Sequence, residues 1–436
     1  MRDWPPERVA AAAGALLAGS PPGSRDAQPG PLRATIDSRD VRPGDLFVGL
    51  PGSRTDGGHF AAGALADGAW GVLVASEHAD GLAPTGAILA ADDPLAALQA
   101  LARAWRRELG AQVVAITGST GKTSTKDLLA AMLRQDRRVV ASEQNLNTEI
   151  GLPLTILGAP PLTEALVLEM AMRGSGQIAE LAAIAEPDVG VIVNVGPVHL
   201  ELLGSLEAVA AAKAELLAGL RPGATAVLPA GEPLLEPHLR DDLRVVTFGA
   251  GGDVAELGEL ALPFTSRHMR SNALAALAAA RALGAAPRGM LDVALSALRG
   301  QRIELPGPVI VIDDCYNANP MSMRAALDDL SASATGRRVA VLGDMLELGP
   351  GEVRFHEQLG AQARDCGVDV LIAVGPLAAH TRAGFGKDVH EVAHAAAAAS
   401  LVSQMVRPGD TVLVKGSRGV GLEVVAEGMR ATAAGA

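Results

Sequence analysis

Residues 113–125 read Val113-Val-Ala-Ile-Thr-Gly-Ser-Thr-Gly-Lys-Thr-Ser-Thr125. An apolar run leads into a glycine-bearing turn, and Lys122-Thr123 then opens a segment that continues through Leu128, Leu129 and Met132. Strand, glycine turn and helix in that order are what a phosphate cradle requires. Glycines let successive backbone N–H groups converge on oxygens, and the helix N-terminus adds partial positive charge. The stretch therefore predicts a nucleotide held by Gly118, Ser119, Thr120, Gly121, Lys122, Thr123 and Ser124, with ATP as the expected ligand. Lys122 would set its charge on the β- and γ-phosphates, and the Thr123 hydroxyl would ligate Mg²⁺. The pattern departs from GxxxxGK[ST]: Ile116 stands five residues before Gly121, and a glycine stands at 118 instead.

Downstream, apolar runs at 165–168, 189–193, 226–228 and 245–248 alternate with Ala/Leu-rich helical patterns. That alternation implies a parallel sheet covered on both faces. Glu169 closes the first of these runs, the position expected of an acidic Mg²⁺ ligand facing a nucleotide. His199 follows the next run in NVGPVHLE, and Lys213 lies in AAAKAELL. Taken singly, these two read as an ordinary polar residue and a solvated helical charge.

Upstream, residues 32–94 are short strand patterns punctuated by Pro43-Gly44, Pro51-Gly52 and Asp56-Gly57-Gly58, a small α/β unit of its own. Leu95, Leu98, Leu101 and Trp105 recur at helical spacing and predict a bridging helix. Beyond a Gly/Pro-bearing break at 300–308, strand patterns restart at 309–312, 339–342, 370–374 and 411–414, a third and doubly wound unit. The expected fold class is α/β in three domains, at 1–94, 95–302 and 303–436. The middle one is a P-loop parallel-sheet domain and the last is Rossmann-like.

Composition narrows the function. Apolar residues make up 49% of the 436, yet there are only three Trp, one Tyr and six Phe, so aromatic stacking platforms are scarce. A net charge of -12 repels a phosphate backbone and argues against nucleic-acid partners. Cys315 and Cys366 form neither a CxxC nor a Cys/His metal spacing, which together with their number predicts a cytoplasmic chain. Val9 to Ala18 imitates an export signal, but Asp3, Pro5, Pro6 and Glu7 spoil the basic flank, so a buried helix is expected there. No run is apolar enough for membrane insertion.

Taken together, TGSTGKTSTKD, EQNLNTEIGLPLTIL, LEM, NVGPVHLELLGSLEAVAAAKAEL and RHMRSNALAALAAA resemble the Mur ligase family in order and distance. IDSRDVRPGDLFVGLPG, DDCYNANPMSMRAAL, VLGDMLELG and VLVKGSRGVGLEVV resemble its D-alanyl-D-alanine-adding branch. No DNPR-type motif of the diaminopimelate- or lysine-adding sibling is present in the last third.

The resemblance implies an ATP-dependent ligase acting on UDP-N-acetylmuramoyl-tripeptide and D-alanyl-D-alanine in peptidoglycan precursor synthesis. It implies that the three domains bind, in order, the UDP-sugar, ATP and the incoming dipeptide, and that they close on one another. A monomer is expected. It also implies two Mg²⁺ ions, one on Thr123 and Glu169 and the other on His199, with Lys213 carbamylated by CO₂ into an anionic ligand. Asn272 falls at the adenine contact. Arg302, Asp314, Tyr316 and Asn317 fall where the second and third domains close on the nucleotide. Ser38 and Arg39 match the UDP site, Asn145, Asn147 and Thr148 the muramoyl-facing loop, and Lys415, Ser417 and Arg418 the dipeptide side. Met269 stands where Asn is commoner, Ala171 where Gly is usual, and Gly58-His59 where the histidine would directly follow Gly57. Alternatives are a sibling ligase, a folylpolyglutamate synthase-like ligase, or a nucleotide-binding scaffold without catalysis.

Overall fold

A computed structural model of the chain describes residues 1, 3–21, 29–264 and 266–434. Three main sheets follow one another along the sequence. The middle sheet has six parallel strands in the spatial order Arg244–Phe248, Thr225–Pro229, Val189–Ile192, Gln112–Thr117, Ala165–Glu169, Val139–Ala141.

The continuous apolar runs follow from burial on both faces. Val113 and Ala115 enter one core together with helices Pro94–Leu109, Gly151–Gly158, Gln177–Ala185 and Leu206–Ala218. Val114 and Ile116 point the other way, into a core covered by helices Lys122–Leu133 and Arg267–Ala282. The chain moves to one side of Gln112–Thr117 for the next two strands and to the other side for the last three. The carboxyl end of that strand is thus the switch point at which open α/β sheets bind ligands.

The last sheet is ordered Gln301–Leu305, Val309–Asp313, Thr411–Lys415, Arg338–Gly343, Val370–Val374, Val389–Val392. All its pairs are parallel except the first. This is the doubly wound unit anticipated, with one correction. The Gly/Pro-bearing stretch from 300 to 308 is not merely a break: Gln301–Leu305 forms an antiparallel edge strand, so the third sheet begins before residue 303. The polar Gln301, Arg302 and Glu304 hid a strand whose outer edge, among the described residues, meets no other strand.

The first sheet runs Leu16–Gly19, Ala87–Ala91, Gly71–Ala75, Leu46–Val48, Ala34–Thr35. The Val9 to Ala18 run divides: Pro6–Ala13 is a helix closed by Gly14 at φ 64°, and the chain then enters a strand rather than continuing as helix. Strand Ala34–Thr35 is short because Asp37 accepts the Arg39 N–H and starts a 3-10 turn, Ser38–Asp40.

Nor is the first unit self-contained. One face of its sheet, with Leu46, Val48, Leu73 and Leu89, shares a continuous core with Leu98, Leu101 and Trp105 of the bridging helix and with the middle sheet. Trp105 donates its indole N–H to the Ala159 carbonyl at 3.0 Å, tying the helix to the middle domain. Among the described residues no helix is long and apolar enough to cross a membrane.

Trp4, Trp70 and Trp105 all lie in this shared core. Truncating the buried Leu101 to Ala should lower stability by ~2–5 kcal/mol. The urea midpoint should fall equally by tryptophan fluorescence and by far-ultraviolet circular dichroism. A fluorescence transition that moves alone would show the first domain unfolding by itself.

Candidate functional site

At the carboxyl end of Gln112–Thr117 the chain turns through Gly118–Gly121 into helix Lys122–Leu133. Gly121 has φ 79°, and a Cβ there would lie 2.4 Å from Asn272 Oδ1, so only glycine fits. Asn194, two residues past strand Val189–Ile192, braces the loop. Its Oδ1 accepts the N–H groups of Ser119 and Thr120 at 3.1 and 3.0 Å, and its Nδ2 donates to the Thr120 carbonyl at 3.0 Å. Ser119 Oγ donates to the Gly196 carbonyl and accepts the Gly196 N–H. Neither Asn194 nor Gly196 was singled out from sequence. The signal available was their place just beyond a strand's carboxyl end.

Lys122 bends back to donate to the Gly118 carbonyl at 2.9 Å. Burial, and then the charge of Arg299, hold its ammonium below the ordinary lysine range against the pull of Glu169. Glu169 is buried at its strand end; Oε1 accepts from Asn147 Nδ2 at 2.9 Å, and Oε2 has no hydrogen-bond partner among the described residues. A buried carboxylate oxygen left unpaired, in the same cleft as the Thr123 hydroxyl, is a hard-oxygen donor set suited to a divalent cation.

His199 lines the same cleft, its Nδ1 2.5 Å from Glu347 Oε2 of the third domain. Burial pushes its pKa down, while Glu347 pulls the other way. Lys213 lies behind the cleft lining, fully buried on helix Leu206–Ala218. Among the described residues it has no hydrogen-bond or ion-pair partner, and burial aided by Lys122 holds its pKa well below that of an ordinary amine.

The third domain closes the other wall. Cleft residues from Ser119 to Gly419 enclose about 1570 Å³, and both the P-loop and the Lys415–Arg418 turn border it. Arg299, in the connection between the two domains, donates to Thr123 Oγ1 at 3.2 Å and stacks 3.9 Å above the Tyr316 ring. It was missed in the sequence, where an arginine in a glycine-bearing linker carries no signal. Arg302, expected at the nucleotide, lines the same cleft and pairs there with Asp329 at 2.8 Å.

Lys415 is buried and spends its ammonium on Asp314 Oδ2 at 2.6 Å and the Asn317 carbonyl at 3.0 Å, which joins two strand ends. Ser417 Oγ accepts the Leu346 N–H. Of the dipeptide-side residues, Arg418 keeps the loosest partner, Glu423 at 3.8 Å. Asn145, Asn147 and Thr148 border the cleft, with Asn147 aimed at Glu169 and Thr148 accepting the Gly151 N–H. Asn272 is buried against Gly121. Cys315 donates to Asp313 and is pushed far above the thiol range, so it offers no nucleophile.

Ser38 and Arg39 are not brought into this cleft. They sit on the 3-10 turn of the first domain, where Arg39 pairs with Asp37. A group of potential ligand atoms from Asp56, Glu77 and His78 also lies in that domain, away from the cleft lining.

Three family models match the chain: the Mur ligase family catalytic domain over 34–106, the Mur ligase middle domain over 116–280, and the Mur ligase glutamate ligase domain over 298–418. The UDP-N-acetylmuramoyl-tripeptide--D-alanyl-D-alanine ligase of Synechocystis sp. is 39% identical, covering 89% of this chain and 90% of its own. That of Bacillus subtilis is 36% identical, with 89% and 91% covered. The crystal structure of MurF from Acinetobacter baumannii superposes with a TM-score of 0.85 at 29% identity, over 98% of this chain and 99% of the other. MurF ligase from Thermotoga maritima in complex with ADP gives 0.78 at 32% identity, over 91% and 96%.

Replacing Gly121 by Ala should weaken ADP binding at least about tenfold, since the turn that presents the N–H groups can neither keep its positive φ nor pass Asn272. Titration calorimetry would read this. An unchanged affinity would remove the turn from the nucleotide site.

Proposed function

The chain belongs to the Mur ligase family, and from that premise we propose that it joins D-alanyl-D-alanine to UDP-N-acetylmuramoyl-tripeptide with ATP as phosphoryl donor. The observation that carries this reading is a single cleft bordered both by a P-loop and by the third domain's Lys415–Arg418 turn. A phosphorylated carboxylate formed on one wall is then within reach of an amine held on the other.

The terminal carboxylate of the tripeptide is a poor electrophile, because its leaving group would be an oxide. Its oxygen attacks the γ-phosphorus and the bond to the β-phosphate oxygen breaks, giving an acyl phosphate and ADP. The dipeptide amine adds to the carbonyl carbon, phosphate departs with the C–O electron pair, and the nitrogen loses a proton to leave the amide. Backbone N–H groups of 121–123 at the helix N-terminus hold the triphosphate, and Lys122 exchanges its Gly118 carbonyl for phosphate oxygens. Ser417 and Arg418 face the amine substrate, while the buried Lys415 keeps Asp314 and the 314–317 loop in place.

Thr123 and Glu169 would hold one Mg²⁺ and His199 a second, which when bound neutralise charge as it shifts between oxygens. The unpaired Glu169 oxygen supports the first assignment. Lys213 would be carbamylated: the neutral amine adds to CO₂ through its lone pair and the nitrogen releases a proton, turning a neutral amine into an anionic carbamate. Its depressed pKa supports this, because only the unprotonated amine can react. Ser38 and Arg39 would serve the UDP end in the first domain, Asn145 and Thr148 the muramoyl end, and Asn272 the adenine side of Gly121.

Phosphate release from Mg²⁺–ATP is expected to require UDP-muramoyl-tripeptide and D-alanyl-D-alanine together. Release with UDP-muramoyl-dipeptide plus diaminopimelate or lysine instead would move the assignment to the sibling reaction, and release with neither pair would favour a scaffold. Lys213→Ala should reduce turnover by on the order of 10²-fold or more and be partly restored by small carboxylates. Unaltered turnover would remove Lys213 from the site.

A further inference from the structure

Glu347 was not among the residues singled out from sequence, yet it is the third-domain side chain that meets His199. It lies on the loop after strand Arg338–Gly343, at the carboxyl edge of the third sheet, and its Oε2 is 2.5 Å from His199 Nδ1. An ionised carboxylate can only accept, so Nδ1 carries the proton, and in the neutral imidazole Nε2 then keeps its lone pair. Both residues are strained: His199 has φ 53° and Glu347 φ 62°, the left-handed region that residues other than glycine seldom occupy. Strain at two facing residues persists only where the surroundings over-determine it.

Those surroundings are explicit. The Met345 N–H donates to Nε2 of the buried His356 at 2.9 Å, while the other ring nitrogen of His356 meets the Glu352 carbonyl at 2.7 Å. The Leu346 N–H donates to Ser417 Oγ at 3.0 Å. Across the domain boundary the Glu201 N–H reaches the Glu347 carbonyl at 3.4 Å, and Arg173 stands 4.0 Å from Oε1.

We infer that Glu347 is a positioning residue. By taking the Nδ1 proton of His199 it fixes the imidazole with Nε2 free for a divalent cation, so this cation site is complete only while the third domain is docked. Histidines that bind metals generally give their second ring N–H to a carboxylate or carbonyl, which sets both tautomer and ring orientation. Here that partner comes from a different domain, linking the geometry of a candidate cation ligand to domain closure. The inference rests on the proposed role of His199 as a cation ligand.

The test titrates Mn²⁺ into the full-length protein saturated with a non-hydrolysable ATP analogue, following bound metal by electron paramagnetic resonance and imidazole nitrogen coupling by its pulsed form. Two Mn²⁺ are expected for the unaltered protein. Glu347→Ala should weaken the second about 10–100-fold and diminish the nitrogen coupling, with the first retained as proof of folding. Glu347→Gln, whose amide oxygen can still accept from Nδ1, should recover most of that loss. If His199→Ala loses the second ion while Glu347→Ala keeps both with full coupling, the positioning role is overturned. If His199→Ala itself keeps both, the cation assignment of His199 falls, and the inference with it.

Discussion

Asn194 holds two consecutive N–H groups and one carbonyl of the 118–121 turn with a single side-chain amide. Without it, a glycine-bearing loop would sample many shapes, and the entropy of ordering it would fall on the ligand. With it, the helix N-terminus, Lys122 and Thr123 are aimed into the cleft beforehand. The rest of the site is arranged around that fixed turn: Asn272 fills the space beside Gly121, Asn319 of the third domain reaches the Ser119 carbonyl at 3.5 Å, and Arg299 reaches Thr123.

Electrostatics explains why the two cleft walls meet as they do. A chain of net charge -12 concentrates Lys122, Arg299, Arg173 and Arg302 in one cleft. Such a cluster of cations is unfavourable unless anions face it, and burial strengthens each pair by excluding water. Glu347 faces Arg173, and Asp329 holds Arg302. Each of these contacts shows how a positive group is held where a triphosphate and a carboxylate are to be bound.

Much of this was legible in the sequence. The run 113–125 placed the nucleotide loop on the correct strand and helix, and the apolar runs identified five of the six middle strands, because a strand buried on both faces must be apolar throughout. In the middle and third sheets what escaped were edges: Val139–Ala141, Gln301–Leu305 and Val389–Val392, which lie at the margins of their sheets and need no continuous apolar run. Lys213, unremarkable alone as a helical lysine, drew meaning only from its resemblance to a family pattern. Its burial then supplied a physical reason for unusual chemistry.

The sequence by itself determined the class of fold, the phosphate loop and the carboxylate at the end of the neighbouring strand, because each is local: a strand, a turn and a helix start are specified by residues adjacent in the chain. Tertiary structure alone decided which side chains complete them. Asn194 is 75 residues from Ser119, Arg299 is 176 from Thr123, and Glu347 is 148 from His199. Contacts over such separations depend on how sheets stack and domains dock, and no periodicity or short motif encodes them. Ionisation belongs to the same category. The depressed pKa values of Lys122 and Lys213 arise from burial by residues scattered along the chain, and only the folded protein brings that low-dielectric environment into being.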